Sequence, residues 1–305
     1  MQKSVLVTGA SGLIGQELVT ALVNRNYSVK VLSRHKQQAE SPSVQFYEWD
    51  VSKGEVDMAC VDGVEAVIHL AGENIGALPW SNSRKRTILE SRTKSIALIY
   101  DLLKKNPNHN VKTVVSASAS GYYNDRGDEL MTEDKAPKND FLGQTCLKWE
   151  QAVSQGKDLR LRTVSLRSGM VLSANGGVYR KLANMVRKGL GAVPGTGKQW
   201  MPWIHIDDTV AMYIFALEHN GIAGAYNMAA PEQITFSTFV GTMAKHLGKP
   251  IWLPHIPKFL LKTVMGQMSE MLLSSTRVSS EKIRNAGFQF RYPTIAEALE
   301  AVILP

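Results

Sequence analysis

The sequence has little cysteine and no long apolar run, and each absence excludes a class of protein. Its two cysteines, Cys60 and Cys146, lie far apart and lack the spacing of a metal site. This excludes a disulfide framework and fits a reducing compartment. No apolar stretch approaches the roughly 20 residues of a membrane-spanning helix, and the N-terminus lacks the pattern of a signal peptide. We therefore expect a cytoplasmic protein with no membrane partner.

The chain also lacks a concentrated cluster of basic residues, although its formal net charge is +8. The densest group, residues 83–86, has no aromatic residues interleaved with it, whereas nucleic-acid binders usually concentrate their charge on one face. Scattered positive charge is more typical of a solvated surface that can also attract an anionic ligand. We expect no nucleic-acid partner, and the sequence leaves the oligomeric state open.

Short apolar runs alternate with helical patterns through the first half of the chain. Strands are predicted at residues 5–8, 29–33, 44–49, 66–71, 111–116 and 162–166, and helices at residues 13–24, 84–105 and 143–154. Such alternation is typical of parallel strands joined by right-handed crossovers. The predicted fold is therefore α/β, with a Rossmann-like doubly wound parallel sheet.

The pattern changes beyond residue 172. Glycine and proline interrupt residues 176–202, and a methionine-rich helical stretch occupies residues 236–305. We expect a dinucleotide-binding Rossmann domain at residues 1–172, to which residues 203–230 return. Residues 173–202 and 231–305 are expected to form a small, mostly helical C-terminal substrate lobe.

Three glycines at three-residue intervals separate the first strand from the first helix. Without side chains, the backbone there can approach a diphosphate, which the unpaired N–H groups and the helix dipole attract. A tight turn without a ligand is the alternative, but the position in a βαβ pattern favours a dinucleotide site. The predicted contacts are Gly9, Ser11, Gly12, Leu13, Ile14 and Gly15.

No acidic residue follows the second strand, where a carboxylate would bind the ribose 2′-hydroxyl of NAD. Ser33 and Arg34 stand there instead, and an arginine accommodates the 2′-phosphate of NADP. The sequence therefore favours NADP(H), with an ordinary surface arginine as the alternative.

Two further segments are candidates for the adenosine side of the cofactor. Asp50 follows the third strand, where its carboxylate either accepts from the adenine amino group or caps a turn. Leu70, Ala71 and Gly72 end the fourth strand, where small residues let the cofactor ribose lie against the backbone.

Four segments occur in the order of a known superfamily: TGASGLIG, SR, HLAG and SASASGYY. They resemble the extended short-chain dehydrogenase/reductases, which include the NAD-dependent epimerase/dehydratase-like proteins. Four others, HLAGENI, LRSGMVL, GTGKQWMPWIHIDD and GAYNMAAP, are similar to an atypical sugar-nucleotide epimerase-like branch with a distinctive C-terminal region. The resemblance spans nearly the whole chain and implies NADP(H) binding. It also implies that Arg92 lies on the cofactor side and that Met170 lies against the nicotinamide region.

The resemblance leaves the catalytic machinery incomplete. Typical members carry a Tyr–x–x–x–Lys pair on one helix face, and the resemblance places Leu142 and Cys146 there, which cannot do that chemistry. Ser118 matches the serine of the family. Tyr122, near the same strand end, is a candidate replacement for the tyrosine, although its phenol needs a nearby cation such as Lys148. A packed aromatic side chain is the alternative for Tyr122.

Two other patterns suggest sites that we do not favour. Residues 192–199 partly resemble a P-loop but lack its strand–loop–helix context. We expect instead a flexible loop over a substrate anion, with Lys198 and Gln199 as donors and Trp200 and Trp203 as stacking surfaces. His205, before two aspartates, has no second histidine or cysteine at ligand spacing, so we expect a structural hydrogen bond there and no metal.

The sequence thus supports two functions from different classes. The first is an NADP(H)-dependent oxidoreductase or epimerase-like enzyme acting on a small hydroxyl- or carbonyl-containing substrate, of which a sugar nucleotide is one example. Ser118 would orient the substrate, and Tyr122, water or the substrate itself would transfer the proton. The second is a non-catalytic NADP(H)-binding sensor, which the missing Tyr–Lys pair favours.

Overall fold

The computed structural model describes residues 2–35, 38 and 41–303 of the chain. The strands are β1 (Ser4–Thr8), β2 (Ser28–Ser33), β3 (Val44–Asp50), β4 (Glu55–Val56), β5 (Ala66–His69), β6 (Thr113–Ala119), β7 (Leu130–Met131), β8 (Arg162–Ser168), β9 (Met170–Leu172), β10 (Trp200–Met201), β11 (Trp203–His205), β12 (Gly224–Met228), β13 (Ile234–Thr235) and β14 (Arg277–Val278). The helices are α1 (Leu13–Asn24), α2 (Asn82–Lys105), α3 (Phe141–Ser154), α4 (Gly177–Arg187), α5 (Ile206–Glu218), α6 (Phe236–His246), α7 (Lys258–Met265), α8 (Glu270–Leu273), α9 (Glu281–Asn285) and α10 (Ile295–Ile303).

One eight-stranded sheet forms the centre of the molecule, in the order β12-β8-β6-β5-β1-β2-β3-β4. Its strands pair in parallel except for the short edge strand β4. The strand order reverses beside β1, since β2 lies on one side of it and β5 on the other. Ligands of such folds bind at this reversal, outside the carboxyl ends of the strands. The predicted Rossmann-like fold is confirmed.

Helices cover both faces of the sheet, which explains the continuous apolar runs of its central strands. Helices α1 and α5 pack on one face, where Leu18 and Leu22 join the core of the sheet. Helices α2 and α3 pack on the other, where Ile96 and Trp149 belong to a second cluster. The core therefore lies in two layers that hold the carboxyl ends of the strands in fixed positions.

The strand predicted at residues 66–71 ends earlier, at His69. The backbone N–H groups of Leu70 and Ala71 donate to the Thr8 hydroxyl at 3.2 and 3.1 Å. A side chain of β1 thus turns the chain away from the sheet at the point where the cofactor ribose is expected.

A further apolar core is formed by α4, α6 and α10 around Trp203. The expectation that Trp203 and Gln199 face a substrate is wrong. Trp203 is buried and its indole N–H donates to the Glu232 carbonyl at 3.0 Å. The buried Gln199 amide donates to the carbonyls of Pro194 and Leu272 and fixes its own loop.

The polar residues at and after the end of β11 form hydrogen bonds with backbone N–H groups. The His205 imidazole accepts from the Asp207 N–H at 3.1 Å and caps α5, as expected of a structural histidine. The Asp208 carboxylate accepts from the N–H groups of Arg291 and Tyr292. Among the described residues, no cluster of three His, Cys, Asp or Glu side chains has the arrangement of a metal site. No helix in that same part of the chain has the length and apolarity needed to cross a membrane.

Candidate active site

The turn between β1 and α1 forms a cradle that only glycine permits. Gly9 has φ +70°, and a Cβ there would lie 2.7 Å from the Leu70 carbonyl carbon. A Cβ on Gly15 would lie 2.3 Å from the Gly9 carbonyl oxygen, so the helix packs directly on the turn. A Cβ on Gly12, in contrast, would meet only the Gly9 oxygen at 3.3 Å and otherwise project into open space.

The N-terminus of α1 suits an anion. Gly12 is its N-cap, no side chain caps the helix, and its first turn contains no acidic residue. The first N–H groups of a helix have no acceptor within the helix, and the helix dipole adds positive potential there. The predicted residues Ser11, Leu13 and Ile14 lie on this same turn, so the cradle fits the diphosphate of a dinucleotide.

The end of β2 presents an exposed cation, and β2 pairs in parallel with the strand that leads into the cradle. Arg34 is exposed, and the half-buried Ser33 accepts from the His35 N–H through its hydroxyl. In contrast, Asp50 uses one carboxylate oxygen within its own turn, where it accepts from the N–H and hydroxyl of Ser52 at 2.9 and 2.6 Å. These bonds lower the pKa of Asp50. The geometry supports the turn-capping interpretation of Asp50.

Arg92 reaches from α2 to the segment that follows β5. A Cβ on Gly72 would lie 3.1 Å from its guanidinium carbon, so Arg92 lies directly against the backbone after Ala71. The guanidinium donates to the carbonyls of Ile88 and Glu73 at 2.8 and 3.1 Å. Burial lowers its pKa. Arg92 therefore fixes the 70–73 segment on the cofactor side of the sheet.

The hydroxyl of Ser118 is directed at the partly buried carboxylate of Glu150. Ser118 lies near the end of β6 and donates to Glu150 Oε1 of α3 at 2.6 Å. The same carboxylate receives two bonds of 2.8 Å from the Arg167 guanidinium of β8. Because its proton is engaged, Ser118 presents only acceptor lone pairs to a ligand.

Arg167 is the centre of a larger network. Its Nη1 donates to the Tyr123 hydroxyl at 2.8 Å, and Tyr123 donates to the Asn227 amide oxygen of β12 at 2.7 Å. Burial disfavours the charge of Arg167, but the hydrogen bonds and attraction of Glu150 outweigh it and raise its pKa. The network joins β6, β8, β12 and α3 beneath the carboxyl ends of the strands.

Tyr122 lies beside this network with its ring over Arg167. The guanidinium carbon is 3.5 Å from the ring centroid, so the cation nearest to the phenol is Arg167, and the exposed Lys148 is not needed for that role. Burial nevertheless raises the pKa of Tyr122. The phenol is therefore neutral near pH 7 and is suited to donate a proton rather than to act as a base.

Leu142 and Cys146 both face the turn that contains Tyr122. A Cβ on Gly121 would lie 3.5 Å from the Leu142 Cβ and 4.0 Å from the Cys146 sulfur. Burial raises the pKa of Cys146 to about 12, so the thiol is neutral. The helix face that carries the Tyr–Lys pair in typical relatives is thus occupied here by two uncharged side chains.

The loop that follows β9 lies against the cradle. Met170 begins β9 and pairs in register with Trp203 of β11. Cβ atoms on Gly176 and Gly177 would each lie 3.3 Å from a methyl group of Leu13, so the loop before α4 packs on the first turn of α1. Met170 and this loop both belong to the segment that follows the carboxyl end of β8.

The sequence did not indicate the roles of Glu150, Arg167 and Thr8. Thr8 is the last residue of an apolar strand, where a hydroxyl in a buried position is itself an unusual feature. Arg167 is a charged residue in a strand of the central sheet, and buried charges are usually paired. That pattern indicates an ion pair, but it does not identify the partners.

Two family models match this chain. The NAD dependent epimerase/dehydratase family matches residues 5–229, and the Domain of unknown function (DUF1731) matches residues 256–302. The Epimerase family protein SDR39U1 homolog, chloroplastic, of Arabidopsis thaliana is 33% identical over 99% of this chain and 87% of its own length. The Epimerase family protein YfhF of Bacillus subtilis is 31% identical over 98% of each chain.

Two solved structures show the same similarity. The human epimerase family protein SDR39U1 (isoform 2), crystallised with NADPH, has a TM-score of 0.84 and 30% identity over 98% of both chains. The nucleoside-diphosphate sugar epimerase of Corynebacterium glutamicum has a TM-score of 0.80 and 29% identity, and the match covers 99% of this chain and 58% of that one. The resemblance found in the sequence is confirmed: the chain belongs to the NAD-dependent epimerase/dehydratase family and carries a C-terminal DUF1731 domain.

Proposed function

We propose that the protein is an NADP(H)-dependent oxidoreductase or epimerase-like enzyme with a small hydroxyl- or carbonyl-containing substrate. The observation that carries the proposal is the open, uncapped N-terminus of α1 in front of Gly12, with the exposed cation of Arg34 at the end of β2. The NADPH in the human relative supports this cofactor. The name of the Corynebacterium relative supports a sugar nucleotide as the substrate class.

NADPH is expected to bind more tightly than NADH, and Arg34→Ala should remove most of the difference. A charge-assisted bond to the 2′-phosphate contributes roughly 1.5–3 kcal/mol, which is about tenfold to a hundredfold in affinity. Calorimetric titration with both cofactors measures the effect. Arg25→Ala is the matched control, because Arg25 follows the opposite end of α1 and contacts Glu218. Equal affinity of the unmodified protein for both cofactors would contradict the assignment.

On the substrate side, Ser118 and Tyr122 have complementary roles in this proposal. Ser118 accepts a hydrogen bond from a substrate hydroxyl, since its own proton is held by Glu150. The neutral phenol of Tyr122 donates a proton to a substrate oxygen. When bound, NADP(H) would supply or take the hydride, and Met170 would lie against its nicotinamide.

Ser118→Ala should lower turnover about a hundredfold, the usual scale for loss of one positioned group at a reacting oxygen. Cys146→Ala should leave turnover almost unchanged, because a neutral buried thiol cannot replace the charge of the missing lysine. NADPH consumption is first measured with a panel of carbonyl compounds and sugar nucleotides, and then with both variants. An inactive Cys146→Ala protein beside an active Ser118→Ala protein would overturn this assignment of roles.

A specific observation favours a second function, a non-catalytic NADP(H)-binding sensor. Leu142 and Cys146 occupy the helix face next to Tyr122 without a titratable group in its charged form. The same panel distinguishes the two functions. Tight NADPH binding without turnover of any compound would favour the sensor.

The state of the two cysteines supports one cellular compartment over others. Cys60 and Cys146 are both free and buried, and burial raises the pKa of each to about 12. Unreactive free thiols support the reducing compartment expected from the sequence, and we place the protein in the cytoplasm. The name of the Arabidopsis relative places that protein in the chloroplast.

A further inference from the structure

One surface of the C-terminal lobe exposes large apolar side chains from three neighbouring segments. Trp252 is 67% exposed, and Phe259 and Val264 of α7 are 72% and 77% exposed. Within α7 only Leu261 is buried. We call this surface the α7 face; it comprises Leu190, Trp252, Phe259, Leu260 and Val264 with the basic residues Lys188, Lys249, Lys258 and Lys262.

The segments of the α7 face lie side by side in the folded chain. The Ile256 N–H donates to the Val193 carbonyl at 2.9 Å, and the Gly195 N–H donates to the Ile256 carbonyl at 2.9 Å. A Cβ on Gly189, next to Leu190, would lie 3.9 Å from the Trp252 indole nitrogen. The loop that follows α4 therefore runs along the segment that leads into α7.

The charge of these segments has one sign. No aspartate or glutamate occurs between residues 174 and 206 or between residues 233 and 269. The basic residues in these stretches are exposed: Arg180, Lys181, Arg187, Lys188, Lys198, Lys245, Lys249, Lys258 and Lys262. Within the described part of the chain, no salt bridge involves any of them. The segments that form the α7 face therefore carry positive charge and no acidic residue.

The unpaired lysines of this surface favour an anionic partner. The apolar side chains favour a partner with an apolar interior in which they can be buried. A second copy of the chain would bring like charges together on a two-fold interface, which opposes self-association. Tryptophan and phenylalanine beside lysines are the composition of segments that lie in a lipid interface. We propose that the α7 face attaches the protein to an anionic membrane surface, with Trp252 and Phe259 among the acyl chains and the lysines at the headgroups.

This inference revises the expectation that the protein has no membrane partner. That expectation followed from the lack of a spanning segment, and attachment at an interface needs none. It is also independent of the proposed function, because the α7 face and the cradle at Gly12 use different residues.

Co-sedimentation with vesicles tests the proposal. The protein should bind phosphatidylglycerol vesicles and not phosphatidylcholine vesicles, and binding should weaken as salt rises. Lys258→Gln with Lys262→Gln should weaken binding roughly thirtyfold, since each lysine near an anionic surface contributes about a factor of five. Phe259→Ser should weaken it about tenfold. The matched controls, Lys104→Gln with Lys105→Gln and Met58→Ser, alter exposed residues elsewhere and should leave binding unchanged.

Insertion of Trp252 among the acyl chains is measured by fluorescence quenching. Bromine-labelled acyl chains should quench tryptophan emission of the unmodified protein, and Trp252→Phe should remove most of this quenching. Circular dichroism and the melting temperature should be unchanged in every variant, because the altered side chains are exposed. No binding to phosphatidylglycerol, or binding insensitive to Phe259→Ser, would refute the proposal. So would sedimentation of the free protein as a dimer that Phe259→Ser dissociates, which would identify a second copy as the partner.

Discussion

Gly12→Val should abolish NADPH binding while the protein stays folded. Gly12 has φ −78° and ψ 167°, an extended conformation that valine adopts readily. Its Cβ would meet only the Gly9 oxygen at 3.3 Å, so the core does not change. The branched side chain would occupy the space in front of the first turn of α1, where the diphosphate must lie to receive the N–H groups. Calorimetry should detect no NADPH binding, whereas the melting temperature should move by only a few degrees.

Gly15→Ala provides the contrast. A single methyl group there would lie 2.3 Å from the Gly9 carbonyl oxygen and 2.7 Å from the Ala10 Cα, so the backbone must shift. Gly15→Ala should lower the melting temperature more than Gly12→Val does, although alanine is smaller than valine. Normal NADPH binding by the Gly12→Val protein would show that the diphosphate lies elsewhere.

The cradle could be predicted from the sequence because its cause is local. Gly9, Gly12 and Gly15 lie within one short segment. Glycine is the residue type that lets the backbone approach closely, so the residue type alone indicates this requirement. The position of Arg34 directly after β2 could be predicted in the same way, since an apolar run defines the end of that strand; its contact with a 2′-phosphate stays a prediction. Local patterns also predicted the type of the main sheet strands and of the long helices correctly.

The chemistry beside Ser118 could not be predicted, because its partners are distant in sequence. Arg167 and Glu150 are 17 residues apart and Ser118 is 32 residues from Glu150, on three different elements. Their contact exists only once β6 and β8 pair and α3 packs against them. The prediction that Gln199 and Trp203 face a substrate was wrong for the same reason. Polar and aromatic side chains in a glycine-rich stretch resemble a binding loop, but here their partners, such as Leu272 and Glu232, come from later segments.

Arg167→Met should destabilise the protein by about 3 kcal/mol, the lower end of the cost of removing one partner of a buried ion pair, because Glu150 is only partly buried. The guanidinium is buried, and it satisfies both oxygens of Glu150 and the Tyr123 hydroxyl. Without it, the partly buried carboxylate loses both hydrogen bonds of the guanidinium and keeps the Ser118 hydroxyl as its protein partner. Urea denaturation followed by circular dichroism gives the free energy of unfolding. Lys94→Met is the control, because it breaks the exposed Lys94–Glu90 pair and should cost less than about 0.5 kcal/mol.

A double mutant separates the lost charge from the lost packing. Adding Glu150→Gln to Arg167→Met removes the unpaired carboxylate, so the double variant should be more stable than Arg167→Met alone despite carrying one more substitution. If stability instead falls by the sum of the two single effects, Glu150 is not held as a carboxylate by Arg167. In that case, the Ser118 proton is not fixed by an anion, and Ser118 is able to donate to a substrate oxygen.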